Sequence, residues 1–229
     1  MDLTIEDLDR ILEAEHGRVE DRYQDSFPAQ GGGDPLDTLI LTILSQATSD
    51  TNSLRAYRQL RQRFPTWEEV LAAGVEEVAE ALRPGGLGPQ KAGRIQEILR
   101  RLKGDHGHLT LDYLTELDTE EAYRHLLSFP GVGPKTAACV LLFALNRPRF
   151  PVDTHVARIL RRLGVVEDRA TPVAIQEQME RQVPEDLKLG LHLNLIEHGR
   201  KICSSRAPRC NLCVLRKSCR NPVSLRDPQ

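Results

Sequence analysis

The chain has 229 residues, 40% apolar and 28% charged, enough apolar content for a substantial core in one or two compact domains. Its longest apolar run, Ala137 to Leu145, is far short of the roughly 20 residues that cross a bilayer, so a transmembrane protein is excluded and no membrane partner is expected. The formal net charge of −2 argues against a polyanion partner only if the charge is evenly spread.

It is not. Residues 1–60 hold twelve acids against five Lys or Arg, whereas 187–221 hold eight basic residues (Lys188, Arg200, Lys201, Arg206, Arg209, Arg216, Lys217, Arg220) against Glu197 alone. A basic segment on an acidic body is either an ordinary solvated surface or the electrostatic footprint of a polyanion.

In chain order the pattern is helix after helix. The N-terminal MDLTIEDLDRILEAEHG, amphipathic over Leu3–Leu12, is acidic, the reverse of a signal peptide's basic start. A cytoplasmic or nucleoid-associated protein is therefore expected. QGGGDP at 30–35 closes that N-terminal helix and reads as a hinge. Three-to-four apolar spacing then marks Leu36–Leu44, Val70–Leu82, Ala92–Leu102, Ala122–Leu127, Thr136–Leu145, Val156–Leu163, Pro172–Val183 and Leu187–Ile196. Capping residues precede three of the starts: Thr66 before WEEV, Asp118 before TEEAYRHLL, and Thr171 before Pro172. No alternating run of strand length appears, so the fold class is all-α.

FPGVGPKTA, 129–137, raises a specific question. Gly131 and Gly133 permit positive φ and a tight hairpin, and Pro134 suits a first helical position. Backbone N–H groups then face outward at a helix start, which makes either a plain αα-hairpin or an anion site for one phosphate. Lys135 follows at once, in the first turn, where the helix dipole disfavours a cation. The dipole and partial burial favour the neutral amine, and a neutral lysine amine is a nucleophile that attacks electrophilic carbon to give a Schiff base. The plainer reading is a lysine that snorkels to solvent.

FPVDTHVARILRRLG, 150–164, belongs with it by reach. A helix from Lys135 to about Asn146 rises roughly 16 Å, and the six residues after it, extended, return roughly 20 Å. Asp153 is an N-cap for the helix after it, a role compatible with a catalytic carboxylate facing a lysine nucleophile. Further on, Cys203, Cys210, Cys213 and Cys219 are spaced C-x6-C-x2-C-x5-C. Four thiols so close together read as metal ligands rather than disulfides, and the spacing alone serves zinc or a [4Fe–4S] cluster equally. Arg206, Pro208 and Arg209 lie in the first of these loops, so a metal there braces a loop that presents positive charge. Cys139, on the apolar helix, is read as core. The seven histidines show no ligand-like pairing.

LSQATSD (44–50), GLGPQKAGRI (86–95), FPGVGPKTAACVL (129–141), VDTH (152–155) and the four cysteines together resemble the endonuclease III family of helix-hairpin-helix DNA glycosylases. The resemblance implies two helical lobes with DNA in the cleft between them. One is a six-helix barrel with the helix-hairpin-helix over 27–147; the other joins 1–26 to 148–229 and holds a [4Fe–4S] cluster on the four cysteines, in preference to zinc. It implies a monomeric bifunctional glycosylase and lyase acting on double-stranded DNA with damaged bases or abasic sites. Lys135 takes the nucleophile's place and Asp153 the catalytic carboxylate's. Gln46 and the loop Leu87–Gln90 take positions that enter the duplex, while Gly131, Gly133, Thr154, His155, Arg206 and Arg209 take DNA-contact positions. One departure is Leu127, which stands where bacterial relatives carry an acid, so a proton network there is rebuilt around Asp50. Two competing readings stand beside this one: a monofunctional glycosylase, whose adenine-specific kind carries a further C-terminal domain for which this chain has no room, and a non-catalytic iron–sulfur scaffold.

Overall fold

The computed structural model describes residues 3–19 and 33–221. Among the described residues the regular structure is eleven α-helices and several 3-10 turns, with no strand. None of these helices is long and apolar enough to cross a membrane. The chain divides into two compact units, Gly31–Asn146, and Met1–Gln30 together with Arg147–Gln229.

The unit over 31–146 is organised around α2 (Pro35–Leu44), buried on nearly every side through Leu36, Leu39, Ile40, Ile43 and Leu44. An all-round apolar helix is stable only inside a bundle, and each fully buried Leu or Ile contributes about 1.5–3 kcal/mol. Asp34 caps it, accepting from the Asp37 N–H at 2.8 Å, and Pro35 opens it. Around it lie α3 (Asp50–Arg63), α4 (Trp67–Ala72), α5 (Val75–Ala81), α6 (Gly88–His106), α7 (Thr119–Leu127) and α8 (Pro134–Phe143). The helix α8 packs on α2 and on α7, and α6 on α5.

The single helix expected over 70–82 is two. Ala73 and Gly74 are extended between α4 and α5, and Glu77 reaches back to the Gly74 N–H at 3.1 Å. The carbonyls freed at the end of α4 are met by a buried side chain, Gln96 of α6, whose Nε2 donates to Val70 O at 2.9 Å and Ala73 O at 2.8 Å. Local start signals hold elsewhere: Thr66 and Asp118 each form a reciprocal cap with a glutamate three residues on.

In the other unit α1 (Ile5–His16) packs on α11 (Lys188–Lys201), as does α9 (Thr154–Leu163), with α10 (Pro172–Gln182) beside α9. Leu8 and Leu12 of α1 join Val156, Ile159, Leu160, Ile175, Met179, Leu191 and Leu195 in its core. Thr171 caps α10 through the Ala174 N–H, as its sequence predicts. The helix α1 ends at His16 with Gly17 beyond it; residues 30–32 of the expected hinge lie outside the described residues. Helix α11 runs on to Lys201 and delivers the chain directly to Cys203.

Candidate active site and cysteine centre

The hairpin joins α7 to α8. Gly131 adopts φ +73, but Gly133 does not: at φ −99 and ψ 178 it is an extended N-cap that any residue could adopt. The sequence reading of two positive-φ glycines is thus half corrected, because a helix N-cap requires extended backbone. Gly131 is needed for that φ, and a Cβ there would also push aside the flexible end of the Arg94 side chain, whereas a Cβ on Gly133 would meet nothing within 4 Å. With glycine at the cap there is no side-chain hydrogen bond to the first turn of α8. Its leading amides have no partner inside the helix, and open space adjoins the cap. Lys135 is half-buried in this turn, and Thr136 behind it is buried.

Gln46 belongs to the hairpin rather than to a loose loop. Its Nε2 lies 3.3 Å from Gly131 O and 3.4 Å from Thr136 Oγ1, while Arg94 Nη1 donates to its Oε1 at 2.7 Å. The LSQATSD stretch is the turn from α2 to α3: Ser45 ends one helix, Ala47 sits at φ +55, and Ser49 Oγ caps the next by accepting from the Asn52 N–H. A left-handed alanine costs about 1–2 kcal/mol. Leu87 is likewise left-handed, at φ +53, and 55% exposed at the start of α6. Gln90 is exposed on the first turn of α6, so the expected loop 87–90 is mostly helix. The turn is held from below by Lys91, 2% exposed, whose Nζ donates to Leu44 O at 2.7 Å and Gly85 O at 2.9 Å. Burial pushes its pKa down, and Arg94 adds to this. Gly88 is required here, as a Cβ would stand 2.7 Å from Ala79 O. Leu127 packs against the apolar core, and Asp50 opens α3.

In the other unit Asp153 is the N-cap of α9, its Oδ1 accepting from the Val156 N–H at 2.8 Å. Capping employs one of its two carboxylate oxygens. Thr154 is exposed, and His155 Nδ1 lies 2.9 Å from Arg158 Nη2. His155 also packs so closely on Gly199 that a Cβ there would stand 2.6 Å from its ring nitrogen.

Cys203, Cys210, Cys213 and Cys219 line one cavity with Ile202 and Arg162, its empty space about 300 Å³ including the opening to solvent. Arg162 Nη1 donates to Cys203 Sγ at 3.2 Å. Burial pushes the Cys213 thiol up to about 11, and the three neighbouring thiols push in the same direction. Among the described residues no three His, Cys, Asp or Glu side chains are grouped to hold one metal ion. Cys139 is 3% exposed in α8, the core position expected of it. Arg206 and Arg209 are exposed, and the Arg209 N–H donates to Ile202 O at 2.9 Å, closing the loop between the first two cysteines. Two histidines hydrogen-bond to each other beside this cavity: His16 Nε2 lies 3.1 Å from His198 Nδ1, and His198 Nε2 lies 3.4 Å from Cys213 Sγ. Burial, reinforced by His16, lowers the His198 pKa to about 4.

An all-α protein with a glycine-hinged hairpin feeding a lysine into a helix start, and four cysteines lining one cavity of its other unit, has counterparts among known proteins. Residues 40–185 match the family described as HhH-GPD superfamily base excision DNA repair protein. The chain is 39% identical to endonuclease III of Thermotoga maritima over 81% of this chain and 83% of that one. It is 45% identical to a candidate DNA glycosylase of Arabidopsis thaliana over 74% of this chain, although the match spans only 58% of that relative. A trapped covalent intermediate of an endonuclease III with DNA superposes with a TM-score of 0.75 at 27% identity, covering 93% of this chain and 92% of that one. The chain belongs to the HhH-GPD superfamily of base excision DNA repair proteins, and within it to the endonuclease III family.

Proposed function

We propose that this protein is a bifunctional DNA glycosylase and abasic-site lyase that excises damaged bases, oxidised pyrimidines foremost, from double-stranded DNA. The observation that carries the reading is Lys135 in the first turn of α8, behind a cap that offers its amides no side chain. The amides at this helix start bind one backbone phosphate, charge-assisted and directional. The damaged nucleotide leaves the stack at a cost of a few kcal/mol, less for a weakened pair, and Leu87, Gln46 and Gln90 act in the space it vacates.

Lys135 Nζ, as the free amine, attacks C1′ of the extruded nucleotide, and the glycosidic bond breaks as the base leaves with the bonding electrons and a proton. Loss of the amine proton and opening of the sugar ring give the Schiff base. Removal of a proton from C2′ expels the 3′ phosphate by breaking C3′–O, and water returns the free amine. Asp153 supplies a carboxylate for the positive charge that develops at C1′ and for the proton transfers.

Cys203, Cys210, Cys213 and Cys219 fit a [4Fe–4S] cluster: four sulfurs line one cavity, one for each iron. When bound, such a cluster supplies a redox centre and a rigid brace. Arg206 and Arg209, in the loop it braces, bind phosphates without reading sequence. The protein acts as a cytoplasmic, nucleoid-associated monomer.

A base-release assay on duplexes carrying thymine glycol, an abasic site or a G·T mismatch tests the reading. Release of thymine glycol together with strand cleavage is expected, whereas release of mismatched thymine without cleavage would make the enzyme monofunctional. Asp153→Asn preserves the cap, because asparagine caps as well as aspartate, and should slow base release at least about 10²-fold.

A further inference from the structure

We propose that His198, partnered on its other nitrogen by His16, is the positioning residue that donates a hydrogen bond to the Cys213 sulfur and raises the reduction potential of the four-cysteine centre. This rests on the reading of that centre as a [4Fe–4S] site.

His198 lies near the end of α11 and is 1% exposed, so its ring is shut off from bulk solvent. Both are used inside the protein: Nε2 toward Cys213 Sγ at 3.4 Å and Nδ1 toward His16 Nε2 at 3.1 Å. The two rings meet edge to face, their centroids 5.3 Å apart. A neutral imidazole carries one N–H and one bare nitrogen, so the two contacts cannot both be donations from His198. A thiolate that ligates iron accepts hydrogen bonds and has no proton to give. With Cys213 in that state, Nε2 carries the proton and donates it, and Nδ1 is bare and accepts the N–H of His16 Nε2. The direction of the whole chain, from α1 through α11 to the sulfur, is thereby set.

The same residue holds a second ligand by its backbone. His198 O accepts from the Ile202 N–H at 2.9 Å and the Cys203 N–H at 2.8 Å, so one residue fixes the main chain at Cys203 and the side chain at Cys213. Arg162 completes the pattern with its donation to Cys203 Sγ. A hydrogen bond donated to a ligand sulfur draws electron density from it and favours the reduced state of the centre. His16 acts one step further out, as the donor that the bare Nδ1 accepts from.

Full-length wild type, His198→Leu, His198→Gln and His16→Leu, purified anaerobically, are compared by iron and sulfide content and by midpoint potential. His198→Leu should shift the potential negative, and His198→Gln, whose amide Nε2–H reaches the same sulfur, should restore most of it. His16→Leu should give a smaller shift of the same sign. An iron-loaded His198→Leu with the wild-type potential overturns the proposal, as does a His198→Gln displaced as far as the leucine variant. Should His198→Leu take up no iron, pulsed electron paramagnetic resonance on wild type grown with ¹⁵N-histidine decides. A weak coupling to one histidine nitrogen is expected in the paramagnetic state, and its absence overturns the assignment. Wild type without iron and sulfide overturns the cluster reading itself and this inference with it, a failure the metal analysis shows before any potential is measured.

Discussion

Gly131 and Gly133 flank a single residue of the hairpin, yet replacing each by alanine should damage different properties. At Gly131 an alanine must adopt φ +73, which costs about 1–2 kcal/mol, partly offset by about 0.4–1 kcal/mol from a stiffer unfolded chain. Its Cβ would also fall on the Arg94 side chain, which must swing off Gln46 Oε1. A hydrogen bond to a charged group contributes about 1.5–3 kcal/mol, and half-exposure places this one at the low end. The net loss is about 2 kcal/mol, or roughly 4–8 °C in Tm for a chain of this size. At Gly133, φ −99 suits any residue and the space is open, so Gly133→Ala should leave Tm within about 1–2 °C of wild type. That open space, however, is where a phosphate approaches the amides of this helix start. A methyl there should weaken binding to an abasic-site duplex about tenfold, which is about 1.4 kcal/mol. Thermal unfolding and fluorescence-anisotropy titration on the pair give the answer. A Gly133→Ala protein with wild-type affinity would refute the phosphate site, and an undiminished Tm for Gly131→Ala would refute the backbone argument.

Three other outcomes follow from charge and chemistry. Burial, then the nearby Glu13 and Asp186 carboxylates, raises the Asp9 pKa from 3.8 to about 6. The folded state therefore holds this proton more tightly than the unfolded chain, and stability falls as pH rises from about 4 to 6. Since Asp9 is about half exposed, screening leaves roughly 1 kcal/mol, so Asp9→Asn should raise Tm at pH 7.5 and leave it unchanged at pH 3.5. Cys210→Ser should reduce iron from about four per chain to well below one, read by metal analysis of anaerobically purified protein. Reversing Arg206 and Arg209 to Glu should weaken binding to all duplex sequences alike and flatten the salt dependence between about 50 and 200 mM, read by titration at several salt concentrations.

Features that depend on neighbours in sequence were legible from it. The caps at Thr66, Asp118, Asp153 and Thr171 each rest on a side chain and an amide three residues apart, so the residue type announced the bond. The glycines of FPGVGPKTA gave away the hairpin for the same reason. The break in 70–82 escaped because Gly74 is a tolerable helix residue and the apolar spacing continues through it. What stabilises the break is Gln96, whose partners lie 23 and 26 residues away. Lys91 and Gln96 carried one usable signal, polar residues in line with the apolar face of α6, where a buried partner must exist. Nothing local foretold that Arg94 and Gln46, 48 residues apart, would brace Gly131, or that His16 and His198, 182 apart, would meet beside Cys213. Such contacts are set by how helices pack, and helical periodicity identifies the buried face without naming what faces it.

Lys135 is the residue on which the account turns, and reduction of its Schiff base tests it most directly. Wild-type protein incubated with an abasic-site duplex and sodium borohydride should give a covalent protein–DNA adduct that survives denaturing electrophoresis. Lys135→Gln keeps a similar length and polarity in the first turn of α8, so the variant should remain folded and unfold cooperatively while adduct and strand cleavage both vanish. A Lys135→Gln protein that still traps, or still cuts with the β-elimination product, would contradict the account.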